Sequence, residues 1–246
     1  MGSFRINALK FNWQLGLSLI LIFGLPRFFL VLQANQTGNY NFTSLIFVLM
    51  ALTPFILLTR NGRLAIKLKR PKSIGWILIS LLLGLAAGIL MYMLGKGLYG
   101  ETISNWYVYI SRSYGSLPAG ESFESQKLTF FLIFAVIGMT FSPIGEEFLY
   151  RGLIHQSFVQ RFGKVWASNI DSIAFALVHL AHFGLVFQDR HLKLLLIPAF
   201  IWFLIMFLTS KMFFLCKEKT GSIWGAVISH AGFNLAMTYF IFYHIL

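Results

Sequence analysis

Acidic side chains are scarce in this chain: eight Asp and Glu against twenty Lys and Arg among 246 residues, with charged residues of every kind at 11%. Soluble globular proteins carry roughly 25% charged residues, so this set cannot cover a water-facing surface. Cysteine is nearly absent, and Cys216 alone excludes an internal disulfide and a cysteine-based metal cluster. Internal repeats and low-complexity tracts are lacking, and the low charge with 57% hydrophobic residues excludes a disordered chain and a collagen-like fibre. No small-residue cleavage site follows the first apolar run, so residues 1–10 do not read as a cleaved signal peptide.

What the chain has instead is apolar surface. Hydrophobic residues make up 57% and the mean hydropathy is +0.74. A hydrocarbon core of about 30 Å needs about 20 apolar residues per helix. Charge-free runs place spans at about 12–33, 43–59, 75–95, 128–150, 169–187, 194–215 and 222–244. The expected fold is all-α, a polytopic membrane helix bundle with about seven transmembrane helices. Residues 1–127 form its N-terminal helices and outer loop, and residues 128–246 a second bundle that carries the polar motifs.

The net charge of +12 reads as the positive-inside bias of a membrane protein. A nucleic-acid partner is not expected, because no basic soluble domain is present. Loop 60–73 holds Arg60, Arg63, Lys67, Lys69, Arg70 and Lys72, whereas loop 34–42 holds no Lys or Arg. With alternating spans this puts 60–73, 151–168 and 216–221 on the cytoplasmic side, the N-terminus inside and the C-terminus outside. The long loop 97–127 contains Trp106, Tyr107, Tyr109 and Tyr114, which suit a short helix on the outer membrane interface, with a substrate-facing lid as the other reading.

Ionisable groups inside apolar spans are costly and are functional candidates by default. Here they cluster in Gly145-Glu146-Glu147-Phe148-Leu149-Tyr150-Arg151, in Phe175-Ala176-Leu177-Val178-His179, and in His230-Ala231-Gly232-Phe233-Asn234. Counting 1.5 Å per residue puts Glu146, His179, His230 and Asn234 at similar depths, so one cavity can hold them all, and it is expected to open to the cytoplasmic side. Glu147 and Arg151 are i,i+4 and can pair, while Glu146 lies about 100° around the helix and can face another partner. Each group alone has a plain structural reading: Glu147–Arg151 an ion pair at a helix end, His179 a packing histidine, His230 and Asn234 polar contacts between helices. Their shared depth favours a functional site. Arg27, His182 and His244 lack such support; Arg27 is expected to snorkel and the histidines to pack.

The three motifs, in this order and at membrane-embedded helix positions, resemble the CPBP family: the type II CAAX prenyl endopeptidases and the bacteriocin-processing or immunity proteins also called the Abi family. The resemblance covers about residues 128–240; the first three spans match only in being hydrophobic. It implies an intramembrane endopeptidase in which Glu146 and His179 activate a water, His230 and Asn234 stabilise the oxyanion, and Glu147 and Arg151 support the site. It also leaves a metal-dependent protease open, with a divalent zinc held by Glu146, His179 and His230. The expected location is a bacterial cytoplasmic membrane, with the lipid bilayer as surroundings. The expected substrate is a peptide or small membrane protein, such as a pheromone or bacteriocin precursor. Two other readings use the same residues: a non-catalytic immunity or membrane scaffold protein, and a transporter. Intact motifs speak against the first, and the lack of an internal repeat against the second.

Overall fold

The structure is a computed structural model and describes residues 2–38, 41–115, 117–118, 120–188 and 191–246. It is a helical bundle. Helix α1 (Trp13–Leu19), a π turn (Ile20–Gly24) and α2 (Leu25–Thr37) form one continuous rod. Asn12 caps its start by accepting from Leu15 N, and Gly38 ends it at φ 73°. Helix α3 (Asn41–Leu57) is followed by the short α4 (Arg60–Ala65) and the long α5 (Ile74–Tyr99). Short helices α6 (Trp106–Ser111) and α7 (Glu121–Glu124) lead into α8 (Lys127–Glu147). A seven-residue π stretch, Phe148–Ile154, joins α8 to α9 (His155–His179). A two-stranded antiparallel hairpin follows, β1 (Leu185–Gln188) and β2 (His191–Leu194), with Leu185 opposite Leu194. Helices α10 (Leu196–Thr220) and α11 (Ile223–His244) complete the chain.

Among the described residues, five helices are long and apolar enough to cross a membrane: Trp13–Thr37, Ile74–Tyr99, Lys127–His179, Leu196–Thr220 and Ile223–His244. The sequence-based count of about seven differs for two reasons. Phe42–Leu57 is apolar but shorter. The 53-residue Lys127–His179 is continuous apart from a break at Gly163, whose φ of 76° lies outside the helical region and in the range that favours glycine. The expected span 169–187 stops at His179, because residues 185–188 pair as a strand.

The outer-loop expectation needs correction. Trp106 and Tyr107 are fully buried and Tyr109 nearly so. Trp106 Nε1 donates to the Met91 carbonyl and the Tyr107 hydroxyl to the Gly88 carbonyl, so α6 turns these rings into the bundle instead of outward. Burial pushes the Tyr107 hydroxyl pKa well above its ordinary value.

Close backbone approach positions the functional helices. A Cβ at Gly84 on α5 would lie 1.9 Å from the Ser229 carbonyl oxygen of α11, and one at Gly232 would lie 2.6 Å from the Leu81 carbonyl oxygen. Glycine on both sides lets α5 and α11 touch along their backbones and fixes the stretch that carries His230. Gly145 does the same between α8 and α3, where a Cβ would come 2.4 Å from the Phe47 carbonyl oxygen.

Candidate active site

The Glu-Glu motif sits at the end of α8, just where regular helix gives way. Pro143 lies inside this helix, where it has no N–H to donate to the preceding turn. The π stretch begins at Phe148; such widened turns recur at functional sites. Both glutamates are buried, and they take different partners. Glu146 turns towards α2 and α9, while Glu147 turns towards its own helix and α11.

Glu146 Oε1 accepts from Arg27 Nη2 at 2.8 Å. Its other oxygen, Oε2, lies 3.7 Å from His179 Nε2 and has no hydrogen-bond partner among the described residues. His179 Nδ1 lies 2.6 Å from the Phe175 carbonyl oxygen. A carbonyl only accepts, so Nδ1 carries the proton and Nε2 presents a lone pair. Glu146 Oε2 and His179 Nε2 are therefore two neighbouring acceptors, and Arg27 Nη2 lies 3.3 Å from the Nε2 lone pair. Trp202 Nε1 donates to the His179 carbonyl at 2.9 Å and holds the end of α9 in place.

Glu147 forms a second, deeper chain. Its Oε1 accepts from His230 Nδ1 at 2.8 Å, and its Oε2 lies 3.2 Å from Arg151 Nε. Arg151 is fully buried; its guanidinium lies over the Phe175 ring at 4.2 Å and the Phe213 ring at 5.4 Å. Phe213 stacks in turn on His230, with centroids 4.7 Å apart and planes at 15°. The Arg151 carbonyl accepts from Lys217 Nζ, which is also buried. Asn234, one turn beyond His230, uses its amide nitrogen to donate to the Gly138 carbonyl at 2.8 Å and to Ser142 Oγ at 3.2 Å.

Glu146, His179, His230 and Asn234 line one cavity of about 310 Å³. Glu147 and Arg151 stand behind its wall. Sequence reasoning missed two members of this cluster. Arg27 does not snorkel: it is 2% exposed, and its Nη2 also lies 3.3 Å from His179 Nε2 and 3.4 Å from His182 Nε2. His182 lines the same cavity in place of packing alone. The usable signal was charge balance. A cation in the middle of one apolar helix and an unmatched glutamate in another invite each other as partners. His244, in contrast, packs among the rings of Tyr92, Tyr239 and Phe240.

The cavity does not run towards the basic loops, as depth counting suggests. From Glu146, Phe175 and Phe213, all nearly inaccessible, its lining continues to Asn35, Ser44, Ile110 and Ser113 at the opposite end. All seven residues of the π stretch are buried, and with Ile66 and Ile223, which are also inaccessible, they close the end near the basic loops. Tyr114, also in the lining, has its pKa raised by burial, with a hydrogen bond to Thr238 acting the other way.

The residues as placed do not fit a tightly held divalent metal. Among the described residues, no three His, Cys, Asp or Glu side chains are disposed to hold one. His230 turns Nδ1 to Glu147, and the Arg27 guanidinium already stands where Glu146, His179 and His182 converge.

Residues 128–236 match the family model described as type II CAAX prenyl endopeptidase Rce1-like. No curated protein and no solved structure matches the chain. The matched segment contains every motif residue from Glu146 to Asn234.

Proposed function

Residues 128–236 make this chain a member of the type II CAAX prenyl endopeptidase Rce1-like family of intramembrane proteases, and from that premise we propose that it is an intramembrane endopeptidase that hydrolyses a peptide bond with water activated by Glu146 and His179. The observation that carries the reading is the pair of buried acceptors, Glu146 Oε2 and His179 Nε2, 3.7 Å apart on the wall of one cavity. A water donating to both has its lone pairs turned into the cavity. As its oxygen attacks a carbonyl carbon, its proton passes to Glu146 or His179. When the C–N bond breaks, that proton goes to the leaving amine nitrogen.

His230 serves the far side of the same carbonyl. Glu147 fixes its ring through Nδ1, and Arg151 fixes Glu147, as a carboxylate orients a catalytic imidazole. Asn234 reaches an oxyanion by exchanging its bond to Gly138 or Ser142 for the substrate. The family's name describes CAAX prenyl substrates. For this chain the reading is broader, a peptide or small membrane protein, in a bacterial cytoplasmic membrane. With the basic loops inside by the positive-inside bias, the cavity faces the outer end, and the bond to be cut is presented from that side.

The test is cleavage of a quenched fluorescent pool of hydrophobic random-sequence peptides by the purified protein in proteoliposomes. Wild type should cleave after exhaustive chelation, and Glu146→Gln should not. Equal signals from the two would refute the proposal. Activity lost on chelation and restored by stoichiometric zinc would move the chemistry to a metal.

A further inference from the structure

Arg27 belongs to none of the three motifs and lies on a helix outside the matched segment, yet it stands at the centre of the site. Its Nη2 meets Glu146 Oε1, His179 Nε2 and His182 Nε2 within 3.4 Å. A purely structural Arg–Glu pair would be expected to engage the guanidinium through two nitrogens, in the bidentate geometry that suits both groups. Here Nε and Nη1 are buried with no hydrogen-bond partner among the described residues, on a side chain that lines the cavity. Buried donors in native structures are nearly always satisfied, and a few that are not belong to sites that await a ligand.

The other candidates for oxyanion binding must change partner or protonation before they can donate into the cavity. Both N–H bonds of Asn234 are directed to α8, at Gly138 and Ser142. His230 directs Nδ1 to Glu147, which leaves its Nε2 a lone pair when the ring is neutral. His179 Nε2 likewise presents a lone pair. Arg151 also has guanidinium nitrogens with no hydrogen-bond partner among the described residues but does not line the cavity, whereas Arg27 lines it beside Glu146 and brings unused donors and a permanent positive charge.

We infer that Arg27 is a further catalytic residue, and that its guanidinium holds the oxyanion formed when water attacks the substrate carbonyl. This rests on the hydrolase reading above. In the step, the water oxygen bonds to the carbonyl carbon, its proton passes to Glu146 or His179, and the carbonyl π pair moves onto oxygen. The Nε–H and Nη1–H donors receive that negative oxygen. Collapse returns the pair, breaks the C–N bond, and delivers the proton to the amine nitrogen.

The test uses the same peptide pool in proteoliposomes, with wild type, Arg27→Ala, Arg27→Lys and the Glu146→Gln control. Removing an oxyanion donor typically costs about a hundred- to a thousand-fold in kcat, so Arg27→Ala should lose that much with KM changed less than about threefold. Guanidinium ion added in solution should restore part of the rate to Arg27→Ala and none to Glu146→Gln. Arg27→Lys, which keeps the charge beside Glu146 but not the fork, should fold normally and still lose kcat. A phosphinate version of the peptides, which imitates the tetrahedral oxyanion, should bind Arg27→Ala more weakly by the same factor as kcat/KM falls, while the uncleaved peptides bind alike. Full activity in Arg27→Ala or Arg27→Lys, a loss confined to KM, or unchanged phosphinate affinity would overturn the inference. If Arg27→Ala fails to fold, Arg27→Lys and the phosphinate decide alone. Failure of the hydrolase reading is separate: wild type would then show no cleavage beyond Glu146→Gln.

Discussion

Single side chains decide the chemistry here through the partners they are denied as much as those they have. Among the described residues, Glu146 is held by Arg27 on one oxygen and left buried without a hydrogen-bond partner on the other, so it is fixed in place with one oxygen uncommitted. Glu146→Gln keeps the shape and removes the base; activity should fall by about a hundred- to ten-thousand-fold while the thermal melt stays within a few degrees. His179→Ala should fall similarly, and the double mutant should be little worse than either single, because groups acting on one water lose their effects together. A clearly additive double mutant, measured as kcat/KM, would separate the two roles. Arg151→Ala acts differently. It strands Glu147 as a buried, half-paired carboxylate, so stability should drop by about 3–5 kcal/mol together with activity, read by denaturation in detergent. The motif residues were legible in the sequence because polar groups stand out inside apolar runs. Arg27 and His182 were not: Arg27 stands alone in its apolar run, His182 follows His179 by three residues but belongs to none of the motifs, and only the packing of α2 against the turn after α9 brings the two together at Glu146. An arginine at the centre of a membrane helix costs about 2.5–3.5 kcal/mol on insertion scales, and that unexplained cost was the available signal.

At the scale of elements, helix irregularity and glycine contacts place the site. Pro143 and the π stretch Phe148–Ile154 let two adjacent glutamates serve two different networks. Gly84 and Gly232 bring α5 and α11 into backbone contact beside His230. Gly84→Ala puts a methyl group against the Ser229 carbonyl, so α11 must move. Overpacking of this kind costs about 1–3 kcal/mol, and the melt in detergent should fall while Gly97→Ala on the same helix, where a Cβ meets nothing, leaves it unchanged. Equal melts for the two would mean that the close approach carries no weight. Helix positions were readable from apolar runs, but the ends were not. The run after His179 is apolar enough for helix or strand, and short apolar runs do not distinguish the two by pattern; here residues 185–188 and 191–194 pair as antiparallel strands. The break at Gly163 was likewise hidden, since one glycine in a helical pattern is usually tolerated.

For the molecule as a whole, charge sits at one end and the cavity leads to the other. Loop 60–73 ties directly to the α10–α11 turn: Lys72 N donates to the Thr220 carbonyl, Ile223 N to the Lys67 carbonyl, and Lys67 Nζ bonds Glu218 at 2.7 Å. The lining residues Asn35, Ile110 and Ser113 lie at the far end. Orientation is therefore a functional statement. With Cys216 replaced by alanine, Arg70→Cys should resist an impermeant thiol reagent in intact cells and Glu101→Cys should react. The reverse pattern would turn the cavity towards the cytoplasm. The measurement that bears most directly on the central claim is the fate of the water oxygen. Wild-type protein in proteoliposomes made up in heavy-oxygen water should yield peptide products whose new C-terminal carboxylate carries one heavy oxygen from solvent by mass spectrometry, and Glu146→Gln should yield none. Cleaved products with no solvent oxygen, or equal labelled product from Glu146→Gln, would contradict hydrolysis by a Glu146-activated water.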